Sequence, residues 1–230
     1  MTLEAFDDPE SVARAAAAAI ASAARDSIAA RGRFSLAVSG GHTPWIMLRE
    51  WANLEVPWAA VEIFQVDERV APEGHPDRNL THLRESLLTR APLRPQQIHA
   101  MPVESADLEA AAAQYAVTLA SITGTPPVLD MVHLGLGADG HTASLVPGDP
   151  VLDVTDRDVA TSGIYQGRRR VTLTYPVLDR ARRILWVVTG AEKTAPLRRL
   201  LAGDRTIPAG RVRSEDAVIL ADRAAEGEGS

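Results

Sequence analysis

The groups best suited to chemistry in this 230-residue chain lie in three short turns. In Gly135-Leu-Gly-Ala-Asp-Gly-His141 an imidazole stands two residues from a carboxylate. Imidazole, with an ordinary pKa of about 6.5, takes and returns a proton near neutral pH, and Asp139 is placed to orient the ring or fix its tautomer. Ser39-Gly40-Gly41 precedes a helix start. Its N–H groups, unshielded by side chains and backed by the positive end of a helix dipole, describe an anion site. Asp67-Glu68-Arg69 contributes two acids and a planar guanidinium that suits an anion. Two more cations complete the set. Lys193 is the single lysine among 24 basic residues and offers a compact ammonium on a flexible stem. The run Arg168-Arg169-Arg170 reads as a solvated hairpin or strand edge with one member turned inward.

Competing chemistries fit less well. Gly135, Gly137 and Gly140 have G-x-G-x-x-G spacing, but a dinucleotide fingerprint opens a long helix, and here Pro147-Gly148 and Pro150 follow within ten residues of Gly140. Ser39 is in no G-x-S-x-G elbow and the chain has no S-x-x-K, which argues against a serine nucleophile. No H-E-x-x-H or comparable metal spacing occurs, so a metal-activated water is not expected. The absence of cysteine excludes thiol nucleophiles, thiolate metal sites and disulfides.

The elements that must hold these turns follow from periodicity. Helices are expected over Asp8–Arg31, Trp45–Ala52, Leu80–Arg90, Leu108–Ile122 and Lys193–Leu201. Strands are expected at Phe34–Val38, Val61–Val66, Val128–Leu134, Asp158–Ser162, Arg170–Thr174, Ile184–Thr189 and Ala217–Ala221, with Asp67–Asn79 a charged loop. Strands alternating with helices predict an α/β fold whose sheet is largely parallel, with helices on both faces. Ligands bind beyond the carboxyl ends of such strands. All three chemistry-bearing turns follow strands, so they should meet on one rim. One domain over residues 1–230 is expected, with about 1–8 and 222–230 as flexible ends.

Composition bounds the partners. At 46% hydrophobic and 23% charged the chain is of globular type, long enough to bury roughly 70–75% of its unfolded surface. A net charge of −6 argues against nucleic acid, which requires a basic face, but not against a small anion held by a few aimed donors. No apolar run approaches the ~20 residues of a membrane span, and no signal-peptide pattern opens the chain. A cytoplasmic address follows by default, as a monomer or small homo-oligomer with no membrane partner.

Taken together, these residues resemble the 6-phosphogluconolactonase family. The matching blocks are Leu36-Ala-Val-Ser-Gly-Gly-His-Thr-Pro44, Val66-Asp-Glu-Arg69 with Pro76-Asp-Arg-Asn79, Leu134 through Gly148, and Arg170-Val-Thr-Leu-Thr-Tyr-Pro176 followed by Gly190-Ala-Glu-Lys193. The resemblance implies a Rossmann-like open α/β sheet, a fold shared with glucosamine-6-phosphate deaminases and ribose-5-phosphate isomerases. It implies hydrolysis of a phosphorylated sugar lactone, 6-phospho-D-glucono-1,5-lactone, to 6-phosphogluconate in the oxidative pentose phosphate pathway, without metal or organic cofactor. By position it implies His141, beside Asp139, as the proton-transfer residue. Ser39, Gly40, Gly41, Arg69 and Lys193 would grip the phosphate, with Arg170 an addition to the anion site and Asp67 and Gly140 lining the substrate site. Backbone N–H groups of the Gly135–Gly140 turn are candidate oxyanion donors. His42, Val146, Arg78 and Leu80 depart from the family's usual residues. A deaminase would carry a carboxylate where Val146 stands, and a sugar-phosphate sensor would carry a DNA-binding segment that the Ala-rich start lacks.

Overall fold

The computed structural model describes residues 1–227. Strand β1 (Thr2–Phe6) opens the chain, and helix α1 (Pro9–Arg31) follows. The Asp8 carboxylate caps α1 by accepting the Ser11 N–H at 2.6 Å, Pro9 fills its first turn, and Gly32 ends it at φ +75°. Its alanine face (Ala13, Ala16, Ala17, Ala21, Ala24) is buried. Next come β2 (Phe34–Val38), α2 (His42–Ala52), β3 (Val61–Gln65), β4 (Asp67–Arg69) and α3 (Asn79–Leu83), which widens into a π turn over Arg84–Leu88. The remainder is β5 (Ile98–His99), α4 (Leu108–Thr123), β6 (Met131–Leu134), β7 (Val159–Tyr165), β8 (Arg168–Leu173), α5 (Tyr175–Arg180), β9 (Ile184–Val188), α6 (Thr194–Leu201), β10 (Val218–Asp222) and α7 (Arg223–Glu226).

Seven strands form one sheet in the order β1-β10-β9-β6-β2-β3-β5, and every pairing is parallel. Successive side chains alternate between two cores, as the pleat requires. Phe34, Leu36, Val38, Leu185 and Val187 pack toward α1 and α2, whereas Ala37, Ile184, Trp186 and Val188 face α4, α5 and α6. From β2 the chain builds outward through β3 to β5, then returns to place β6 on the other side of β2 and proceeds to β9 and β10, beyond which the N-terminal β1 forms the edge. The order therefore reverses between β2 and β6, which opens a crevice beyond their carboxyl ends.

The expected α/β architecture is present, with differences in its parts. The first residues are an edge strand rather than a loose end: Thr2–Phe6 pairs with β10, and the Thr2 N–H donates to the Ala217 carbonyl at 2.9 Å. At the other end, Asp222 is buried and Arg223–Glu226 is helical, while residues 228–230 lie outside the described part. Asp67–Arg69, expected in a loop, forms β4 of a second, antiparallel sheet ordered β4-β8-β7. The strands expected at Asp158–Ser162 and Arg170–Thr174 belong to that sheet and form a hairpin. Its turn residues Gln166 and Gly167 both have left-handed φ, +51° and +78°, as a two-residue primed turn demands.

Candidate active site

Four strands of the large sheet deliver their following turns to one cleft of ≈ 520 Å³. Beyond β2 come Ser39, Gly40 and Gly41; beyond β3, Asp67 and Arg69; beyond β6, Gly135, Gly137 and His141; beyond β9, Thr189, Gly190, Glu192 and Lys193. The hairpin adds Gln166 and Arg170. Of the residues singled out in the sequence, Ser39, Gly40, Gly41, Asp67, Arg69, His141, Arg170 and Lys193 line this cleft, whereas Asp139 stands directly behind His141.

His141 Nδ1 is 2.5 Å from Asp139 Oδ1, and that oxygen also accepts the His141 N–H at 3.1 Å. With Nδ1 as the donor, Nε2 presents a lone pair, the form a proton acceptor needs. Burial pushes the Asp139 carboxyl up, but hydrogen bonds from His141, the nearby imidazole and the Tyr165 hydroxyl outweigh it and leave Asp139 below the ordinary carboxylate range. The glycines make this pair possible. A Cβ on Gly137 would lie 2.0 Å from His141 Nδ1, and Gly140 takes φ +84° with its α-carbon against Ile207.

Gly140 itself is not part of the cleft wall; its N–H bonds to the Gly137 carbonyl at 2.9 Å and its carbonyl accepts the Ala209 N–H. The Gly137 N–H likewise goes to the His141 carbonyl at 2.8 Å. Those two amides close the turn on itself, so any oxyanion donors in the Gly135–Gly140 turn are among its other amides.

At the glycine turn before α2, the donors divide. The Ser39 hydroxyl donates to the His133 carbonyl at 3.0 Å and the Ser39 N–H to His133 Nδ1 at 3.3 Å, so Ser39 is turned inward. The Gly40 and Gly41 N–H groups have no acceptor among the described residues, and they stand at the N-terminus of an 11-residue helix. His133 is fully buried, and desolvation pushes its pKa down to about 3.

The hairpin register sets the cationic wall. Arg69 of β4 pairs directly with Arg170 of β8, and like charges facing each other across a ladder are unfavourable unless an anion lies between them. Arg170 is buried with its Nε unpartnered, and its nearest carboxylate oxygen, Asp67 Oδ2, is 3.9 Å from Nη1. Burial pushes the Arg170 guanidinium down from its ordinary value, and Arg69 adds to that shift. The Asp67 carboxylate is engaged elsewhere, accepting the Ser144 hydroxyl at 2.6 Å and the Asn79 amide at 3.4 Å. Arg69 donates to the Asp77 carbonyl at 2.9 Å, and Lys193 Nζ is 3.5 Å from Glu192.

Sequence reasoning missed Tyr165, Gln166 and Ser144 as neighbours of the site. A Gln-Gly pair between two strands signals a tight hairpin, and reading it would have brought Tyr165 and Gln166 beside Arg170. No local signal marks Ser144, which reaches Asp67 across 77 positions. Among the described residues no group of three or more His, Asp or Glu is arranged to hold a metal ion, and no helix is long and apolar enough to cross a membrane.

Comparison with known proteins converges on one family. Residues 7–220 match the family described as glucosamine-6-phosphate isomerases/6-phosphogluconolactonase. A curated 6-phosphogluconolactonase of Synechocystis is 39% identical over 75% of this chain and 73% of its own length. Among solved structures, the 6-phosphogluconolactonase of Thermotoga maritima superposes with a TM-score of 0.86 at 24% identity, covering 96% of this chain and 98% of its own. A monomeric glucosamine-6-phosphate deaminase reaches 0.83 at 20% identity over both full chains. The fold alone therefore does not separate the two activities.

Proposed function

The chain belongs to the glucosamine-6-phosphate isomerase/6-phosphogluconolactonase family, and on that premise we propose that it hydrolyses 6-phospho-D-glucono-1,5-lactone to 6-phosphogluconate. The observation that carries this reading is the arrangement of one cleft: an imidazole whose Nδ1 is committed to Asp139 shares it with two arginines paired across the β4–β8 ladder and a glycine turn with free amides. That arrangement supports a proton acceptor and a phosphate grip in the same cleft.

In the proposed reaction the substrate phosphate lies against the Gly40 and Gly41 amides with Arg69, Arg170 and Lys193 around it. Remote binding energy is thereby converted into orientation of the lactone carbonyl near His141. Nε2 of neutral His141 accepts a proton from water as the water oxygen bonds to C1. The C1–ring oxygen bond then breaks, and the imidazolium returns the proton to the departing ring oxygen. Asp139 keeps the ring in the required tautomer and stabilises the transient imidazolium. These steps draw on protein groups and water alone.

The deaminase reading requires further proton carriers for ring opening and isomerisation. Val146, where that branch carries a carboxylate, is a buried aliphatic residue. The deciding assay follows the disappearance of freshly made phosphogluconolactone above its spontaneous opening, beside deamination of glucosamine 6-phosphate. Lactone hydrolysis alone is expected; turnover of only the amino sugar would overturn the proposal.

A further inference from the structure

The proposed mechanism uses Asp139 to hold His141 but leaves open what holds Asp139. The Asp139 side chain is on a glycine-built turn with partial solvent exposure, and its own segment holds only one of its oxygens, Oδ1, through the His141 N–H and ring. Its Oδ1 is committed to His141, while Oδ2 accepts the Tyr165 hydroxyl at 3.1 Å from the hairpin of the other sheet. The same tyrosine ring meets the His141 ring edge-on, with centroids 5.3 Å apart. The Arg170 guanidinium carbon stands 5.0 Å from the Tyr165 ring centroid, and Arg170 Nη2 donates to the Tyr165 carbonyl at 3.4 Å. One side chain thus touches both halves of the site.

We infer that Tyr165 is a positioning residue: its hydroxyl fixes the Asp139 carboxylate that orients His141, and its ring backs the Arg170 guanidinium on the anion side. The inference rests on the proposed roles of His141 and Arg170. It extends them by making the β7–β8 hairpin a structural link between proton transfer and phosphate binding. The charged or titratable groups around Tyr165 are Asp139 and His141 from the turn after β6 and Arg170 from β8, with Asp67, Asp77 and Arg69 near Arg170. Burial, followed by the Asp139 charge and hydrogen bond, pushes the tyrosine hydroxyl up, so it stays a donor across the neutral range.

The test compares Tyr165→Phe and Tyr165→Leu with the parent protein. Loss of the hydroxyl removes a hydrogen bond that favours ionised Asp139. The Asp139 carboxyl, followed by ¹³C NMR in the ligand-free protein, is therefore expected to titrate at higher pH in the Phe variant. For lactone hydrolysis, kcat in the Phe variant is expected to fall about tenfold, the scale of one hydrogen bond to a charged group, with KM changed less than about twofold. Tyr165→Leu also removes the ring under Arg170 and is expected to raise KM for the phosphorylated lactone. An Asp139 titration unmoved in the Phe variant would overturn the inference whatever the kinetics, and so would an unchanged kcat in an active enzyme. A parent protein without lactonase activity would instead defeat the proposed function, and the carboxyl titration would still decide whether Tyr165 governs Asp139.

Discussion

Adding one methyl group at Gly137 should remove the His141 imidazole, the proposed proton acceptor, from its place without touching it chemically. The Cβ of an alanine there would stand 2.0 Å from His141 Nδ1, 2.3 Å from Cε1 and 2.7 Å from Asp139 Oδ1. Ordinary contact begins at 3.4 Å, so the ring must retreat by about 1.4 Å (3.4 minus 2.0), and the 2.5 Å contact with Asp139 cannot survive that. A misplacement of about 1 Å can cost on the order of 100-fold in rate, and losing a general base 100- to 10,000-fold. Gly137→Ala is therefore expected to lower kcat by roughly 100- to 1,000-fold, about 3–4 kcal/mol of transition-state stabilisation. Gly137 is not among the glycines with left-handed φ, so its backbone accepts alanine and the melting temperature should hold. The assay is a double-mutant cycle with His141→Ala, measured as lactone turnover above background. With no imidazole to displace, the second methyl should cost almost nothing. A Gly137→Ala enzyme within threefold of the parent, or losses that multiply in the double variant, would refute the reasoning.

Removing a cation from the anion wall, by Lys193→Ala or Arg69→Ala, should lower kcat/KM for the phosphorylated lactone about 10- to 100-fold, the scale of a charge-assisted bond. Unphosphorylated gluconolactone should be nearly unaffected, and equal losses on both substrates would exclude phosphate recognition. Desolvation holds buried His133 at a pKa of about 3 against an ordinary 6.5. The unfolded chain thus binds a proton that the folded chain refuses, and stability is full above pH 6.5 and declines as pH falls toward 3, by on the order of 5 kcal/mol in all. Thermal melts from pH 7 to 4 should show a flatter decline for His133→Leu than for the parent, and parallel curves would contradict this. Gly140→Ala combines a φ of +84° with a Cβ 2.7 Å from Ile207, for a cost of about 2–5 kcal/mol and a melting temperature lowered by roughly 5–15 °C. An unchanged melting temperature would show that the packing around Ile207 yields.

Composition and local pattern determined the parts of this protein whose physics is local. Glycine runs after apolar stretches, the capping signals at Asp8, Pro9 and Gly32, and the strand–helix alternation depend on backbone sterics and short-range hydrogen bonds, so the parallel sheet and the convergence of its turns on one rim were readable. Asp139 and His141 are close in sequence, and their pairing was readable for the same reason. Tertiary structure decided what depends on register and on contacts between distant segments. Thr2–Phe6 looks like a loose end until the exposed edge of β10 supplies its hydrogen bonds. Arg69 faces Arg170 only because two antiparallel strands 101 positions apart align in one register (170 minus 69). Whether an amide in a glycine turn points at a ligand or closes the turn is set by dihedral angles that Gly137 and Gly140 leave open. The sequence therefore named Gly140 as a wall of the site, and the fold uses it to seat Ile207 behind that wall.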